Sequence, residues 1–71
     1  MKRLFYKVYL HATHNFYGDE RRALIPVFIP KTKQSLTMDQ QIEIGTRTLE
    51  AEGYYNISYC STIEAKLIIA E

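Results

Sequence analysis

Between Arg3 and Thr13 the chain alternates without a break. Leu4, Tyr6, Val8, Leu10 and Ala12 fall on one side, and Arg3, Phe5, Lys7, Tyr9, His11 and Thr13 on the other. A period of two belongs to an extended strand, whose successive side chains point to opposite faces. This strand has one apolar face and one on which aromatic and basic residues interleave. It needs a cover for the first and pairing partners for its edges.

The next residues supply a partner. Gly18-Asp19 tolerates the positive φ values of a tight hairpin, and Ala23 to Ile29 is a second β-rich run. If Tyr17 and Glu20 close the turn, Ala12 faces Ile25, Leu10 faces Val27 and Val8 faces Ile29, while Tyr9 faces Phe28 and Thr13 faces Leu24. A slip of one residue would turn one apolar set outward, so the alternation supports this register. Pro26 has no N–H to donate and Pro30 follows it, which predicts that the second strand lies at an edge.

After a polar connection from Lys31 to Ser35, Thr37 and Gln40 have the spacing of a capping box, with the helix running from Met38 to about Glu52 and Gly53 placed to end it. Met38, Ile42, Gly45 and Leu49 project within about 60° of one another at ~100° per residue, a stripe one side chain wide. Gly45 in the middle of that stripe predicts a close approach between the helix backbone and the sheet, or room made for a tyrosine. Beyond Tyr54, the odd positions Tyr55, Ile57, Tyr59, Ile63, Ala65, Leu67 and Ile69 are apolar and the even ones mostly polar, again a period of two. Ser61-Thr62-Ile63-Glu64 also has capping-box spacing, so a short helix to Ala70 competes with strand over residues 62–70.

The reading is a single α+β domain over residues 1–71 with ββαβ order. A right-handed crossover gives a three-stranded antiparallel-type sheet of order 2-1-3, with its one helix on one face. The lengths do not match. A strand from Tyr55 to Ile69 extends ~50 Å and the helix only ~22 Å, so the strand must bend, at Ser61-Thr62, or be covered by another chain. The second sheet face has no element left to cover it. Phe5, Tyr9, Leu24 and Phe28 share that face, bordered by Arg3, Lys7, His11 and Arg22. An aromatic centre with an arginine-containing rim has the composition of an interface hot spot.

Charge is unevenly laid out. Met1 to Leu36 carries seven basic residues against two acidic ones, net +5; Thr37 to Glu71 carries two against six, net −4. The acidic half counts against a nucleic-acid binder, which at this size is usually basic throughout. One cysteine, Cys60, permits neither an internal disulfide nor a multi-cysteine zinc site. No apolar run reaches the roughly 18 residues of a membrane span, and Lys7 and His11 interrupt any leader-like stretch after Met1. These features predict a cytoplasmic protein without a membrane partner. His11 and His14, three apart on a strand, point to opposite faces and cannot share a metal ion there. Cys60 has no base to activate it, and Asp39 and Glu43 fall on the outer side of the helix. No phosphate loop or nucleophile motif is present. The expectation is therefore no enzyme, no cofactor and no metal.

What remains is a small interaction module, expected to be a homodimer and to bind another protein through the aromatic and basic face. Catalytically empty proteins of this size are common among phage and mobile-element accessory factors that inhibit a host protein, an association of size and not of residues. The alternative is a single-strand nucleic-acid binder in which Phe5, Tyr9 and Phe28 stack on bases while Arg3, Lys7, Arg21 and Arg22 hold phosphates.

Overall fold

A computed structural model describes residues 2–31 and 35–68. Its elements are β1 (Lys2–Phe16), β2 (Asp19–Pro30), α1 (Met38–Ala51) and β3 (Tyr55–Ile68), in one sheet of order β2-β1-β3. Both neighbours run antiparallel to β1, so the α+β architecture is the one expected. β3 remains a strand through Ile68, which removes the competing helix over 62–68; Ile69 and Ala70 lie outside the described residues, as does most of the Lys31–Ser35 connection.

The hairpin register differs from the predicted one by two residues. Phe16 pairs with Asp19, so Ala12 faces Ala23, Leu10 faces Ile25, Val8 faces Val27 and Lys7, not Tyr9, faces Phe28; Leu24 faces His11 and not Thr13. The turn is Tyr17-Gly18, with φ of 52° and 81°, the pair of positive values that a two-residue type I′ hairpin demands. Two local contacts hold it: Gly18 N–H donates to Asn15 Oδ1 at 2.9 Å, and the Phe16 and Tyr17 rings meet edge to face at 4.6 Å. Alternation specifies register only modulo two, because a two-residue slip leaves every side chain on its own face. The faces therefore survive the correction and the opposed partners do not.

The core lies between the sheet and α1: Tyr6, Val8, Leu10, Ala12, Val27, Ile29 and Leu49 are buried, with Leu36, Tyr54, Ile57 and Tyr59 packed around them. Thr37 caps the helix as predicted. Its hydroxyl accepts from Gln40 N–H at 3.2 Å while the Gln40 side chain accepts from Thr37 N–H at 2.9 Å. Gly45 faces Leu10 so closely that a Cβ there would lie 2.6 Å from Leu10 Cδ1. The buried stripe is Gln41, Gly45 and Leu49, and Met38 is 52 % exposed. Met38 lies within about 20° of Gly45 around the helix and is nonetheless exposed.

Two irregularities shape β3. Between His11 and Thr13 the partners move from Ser58 to Tyr55, with Asn56 at φ 52°, and between Tyr9 and Leu10 they move from Ser61 to Tyr59, leaving Cys60 without an opposite residue. Each is a β-bulge, which adds a residue and bends the strand. The bulge at Cys60 comes one residue before Ser61-Thr62, where a bend was one of the two outcomes the length mismatch allowed. It also reverses parity. Ile57 and Tyr59 pack on the helix side, whereas Ile63 and Ala65, opposite Lys7 and Phe5, lie on the other face. The single apolar side predicted for the whole strand is thus divided between the two faces.

Even so, α1 does not cover the sheet. The chain measures 41 × 28 × 18 Å with a radius of gyration of 13.3 Å, against about 11 Å for a compact domain of this length.

Candidate protein-binding face

The register places all eight predicted interface residues on the sheet face opposite α1: Arg3, Phe5, Lys7, Tyr9 and His11 from β1, and Arg22, Leu24 and Phe28 from β2. They do not act alike. At the centre, Phe5 and Phe28 meet edge to face, 6.5 Å apart at 85°. Lys7 Nζ stands 5.2 Å from the Tyr9 ring and 5.5 Å from the Phe28 ring. A cation over two aromatic faces is held by their quadrupoles, so Lys7 belongs to the aromatic centre and not to its rim. Phe28 is 42 % exposed and Leu24 48 %.

Arg22 is a tie across the sheet. Its guanidinium donates to Thr13 Oγ1 at 3.1 Å, to the Asn56 carbonyl and to Ser58 Oγ at 2.9 Å, spanning from β2 over β1 to β3. This bridge buries Thr13 and satisfies the carbonyl at the first bulge. Beside it the Tyr55 hydroxyl donates to Glu20 Oε1 at 2.8 Å. Arg3 and His11 are exposed.

Residues outside the predicted set also lie on this face. Ile63, 49 % exposed, and Ala65 arrive there through the bulge at Cys60, and exposed Pro26 lies opposite Tyr9. The proline was readable from its even position on the second strand. The bulge was not, since an extra residue leaves the odd-even pattern of the sequence intact while exchanging the faces it maps to.

Arg3, Lys7 and Arg22 are the cations of this face, and Glu20, already engaged by Tyr55, is its one acidic residue among those described. The outer side of α1 carries exposed Asp39, Glu43 and Glu50 with one arginine, Arg47, bonded to Glu43 at 2.7 Å. The charge asymmetry along the sequence thus becomes an asymmetry between two opposite faces.

The remaining candidates are placed as follows. His14 lies on the helix side against Tyr54, 4.9 Å between ring centroids, and His11 lies on the open face, so the two do not meet. Cys60 is exposed at the bulge. Among the described residues no cavity is found, and no group of three or more His, Cys, Asp or Glu side chains is gathered as a metal site would require. No described helix is long and apolar enough to cross a membrane. No family model matches the chain, nor does any curated protein or solved structure.

Two polar contacts raise the pKa of the group that donates. Lys31 donates a hydrogen bond to Glu64, and this bond holds the ammonium above its ordinary 10.5. The bond to Glu20 likewise raises the Tyr55 phenol above 10.0. A folded-state pKa raised above the unfolded one contributes stability that is fully present below the unfolded value and is lost as pH passes through the folded one. The stability gap between the wild type and Glu64→Ala is therefore expected to be constant from pH 7 to 9 and to close above about pH 10.5, as followed by thermal melts. A gap that closes already between pH 7 and 9 would contradict this assignment of the contact.

Proposed function

We propose that this chain is a non-enzymatic interaction module whose open sheet face docks on another protein, at an apolar surface bordered by carboxylates. The observation that carries the reading is the Phe5–Phe28–Lys7–Tyr9 cluster. It presents aromatic area, with a cation fixed among the rings, on a face that no element of the described chain covers. Desolvating such a centre supplies affinity, while Arg3 and Lys7 select a partner of opposite charge. Like charge opposes the stacking of two copies face to face.

The same geometry argues against bases as the occupant. Base stacking needs free, accessible ring faces. Here Lys7 stands over the Tyr9 and Phe28 rings, and Phe5 is nearly perpendicular to Phe28. Of the four predicted phosphate contacts, Arg22 is committed to three acceptors and Arg21 is bonded to Asp19 at 2.9 Å.

Immobilised wild type is expected to retain one protein from its native host in stoichiometric amount. Phe28→Asp is expected to lose it while its far-UV spectrum is unchanged and its stability falls by only about 1 kcal/mol, the scale of one aromatic pair. Raising the salt should weaken capture through the loss of charge attraction. Retention of labelled oligonucleotides with a steep salt dependence, or capture indifferent to Phe28→Asp, would overturn the reading.

A further inference from the structure

The two edges of the sheet are chemically unlike. The β2 edge bears Pro26 and Pro30, which have no N–H, and the charged run Asp19 to Arg22; such residues blunt an edge against a further strand. The β3 edge has no proline among the described residues, and its two charges, Glu64 and Lys66, are of opposite sign. From Tyr55 to Ile63 it carries neither a charge nor a proline, and in a single copy alternate backbone groups along it face outward without a strand partner. The stretch Ser61–Ile68 is also regular, pairing with β1 without interruption from Tyr9↔Ser61 to Lys2↔Ile68.

We propose that a second copy of the chain pairs antiparallel with this stretch about a twofold axis at Ala65, giving a continuous six-stranded sheet. The register follows from charge. Glu64 and Lys66 lie two residues apart and hence on one face. An axis at Glu64 would oppose two carboxylates, and one at Lys66 two ammonium groups. An axis at Ala65 sets Glu64 of each copy opposite Lys66 of the other, twice, with two small side chains between them. Opposite charges directly across a ladder stabilise it and like charges destabilise it. The Glu64 carboxylate has acceptor sites enough for both Lys31 and the second copy's lysine.

The geometry has further consequences. Residues opposed across an antiparallel ladder share a face, so an axis through a residue stands perpendicular to the sheet. Both helices then lie on one side and both open faces on the other, side by side, and the outer edges of the assembly are the two proline-bearing β2 strands. This assembly uses an edge and not the aromatic face, so it stands or falls separately from the docking reading.

Sedimentation equilibrium over micromolar concentrations tests it with Glu64→Lys and Lys66→Glu. The wild type is expected to dimerise. Each variant alone opposes like charges at both positions and is expected to dimerise about tenfold more weakly or worse, while an equimolar mixture of the two forms a heterodimer close to wild-type strength, because each copy restores what the other lacks. Ala65→Cys in a Cys60→Ser background provides a second test, since opposed Cα atoms in an antiparallel ladder, about 4.5–5.5 Å apart, lie within disulfide reach. Oxidation is expected to link two copies in high yield, and adding Phe28→Asp should leave that yield unchanged. A wild type that stays monomeric, single variants that dimerise like the wild type, a mixture no stronger than its components, or an unlinked Ala65→Cys variant would each overturn the proposal.

Discussion

Replacing Leu10 with alanine is expected to destabilise the fold by about 3–4 kcal/mol, within the usual range for a buried leucine that leaves a cavity. Leu10 is fully buried. It occupies the middle strand of the sheet, directly beneath the helix, where its δ carbon meets the Gly45 backbone, and it has Ile25 and Tyr59 as ladder partners. Collapse around the vacancy is limited because the helix is held on the core on both sides of this point, by Leu36 before it and by Leu49 after it. A domain of this length has only about 4–10 kcal/mol in total, so the melting temperature should fall by roughly 15–25 °C. Thermal and urea unfolding followed by circular dichroism measure both quantities. A loss under about 1 kcal/mol would mean that the core is not centred where Leu10 meets the helix.

The second large effect is expected from Gly45→Val, about 2–3 kcal/mol, from overpacking. A Cβ at Gly45 would lie 2.6 Å from Leu10 Cδ1 and 3.9 Å from Val8 Cγ1, and neither of those side chains has free space to retreat into. The γ methyls of valine add to the conflict. Gly45→Ala should cost less, since about 1 kcal/mol of helix propensity offsets part of the clash. The two positions should also couple: in a Leu10→Ala background the opposing δ carbon is gone, and Gly45→Ala is expected to turn neutral or stabilising. A double-mutant cycle with no coupling energy would show that helix and sheet do not meet at this pair.

The parts of this structure that could be read from residues are those governed by one local rule each. Alternation along β1 identified its buried side, Thr37 and Gln40 marked the helix start, Pro26 marked an edge, and Gly45 marked a close approach of helix to sheet, one of the two readings it allowed. The features that escaped are those for which a local rule has several solutions. The hairpin register could slip by two without moving any side chain across the sheet, and the choice fell to Asn15 and to the Phe16–Tyr17 contact. Met38 has the angle of the buried stripe and is exposed all the same. Arg22 looked like one more rim cation because its acceptors, Asn56 and Ser58, come from a strand more than thirty residues later. The eight residues of the aromatic face were nonetheless assigned to one side correctly, since that required only parity on β1 and β2.

The unpaired residue at Cys60 separates one strand into two jobs. Before it, the large side chains Ile57 and Tyr59 pack on the core; after it, Ile63 and Ala65 lie on the open face that the proposed contact would use. Damage to the first stretch should surface as lost protein and damage to the second as lost association, so the position of a lesion along a dozen consecutive residues foretells which of the two fails.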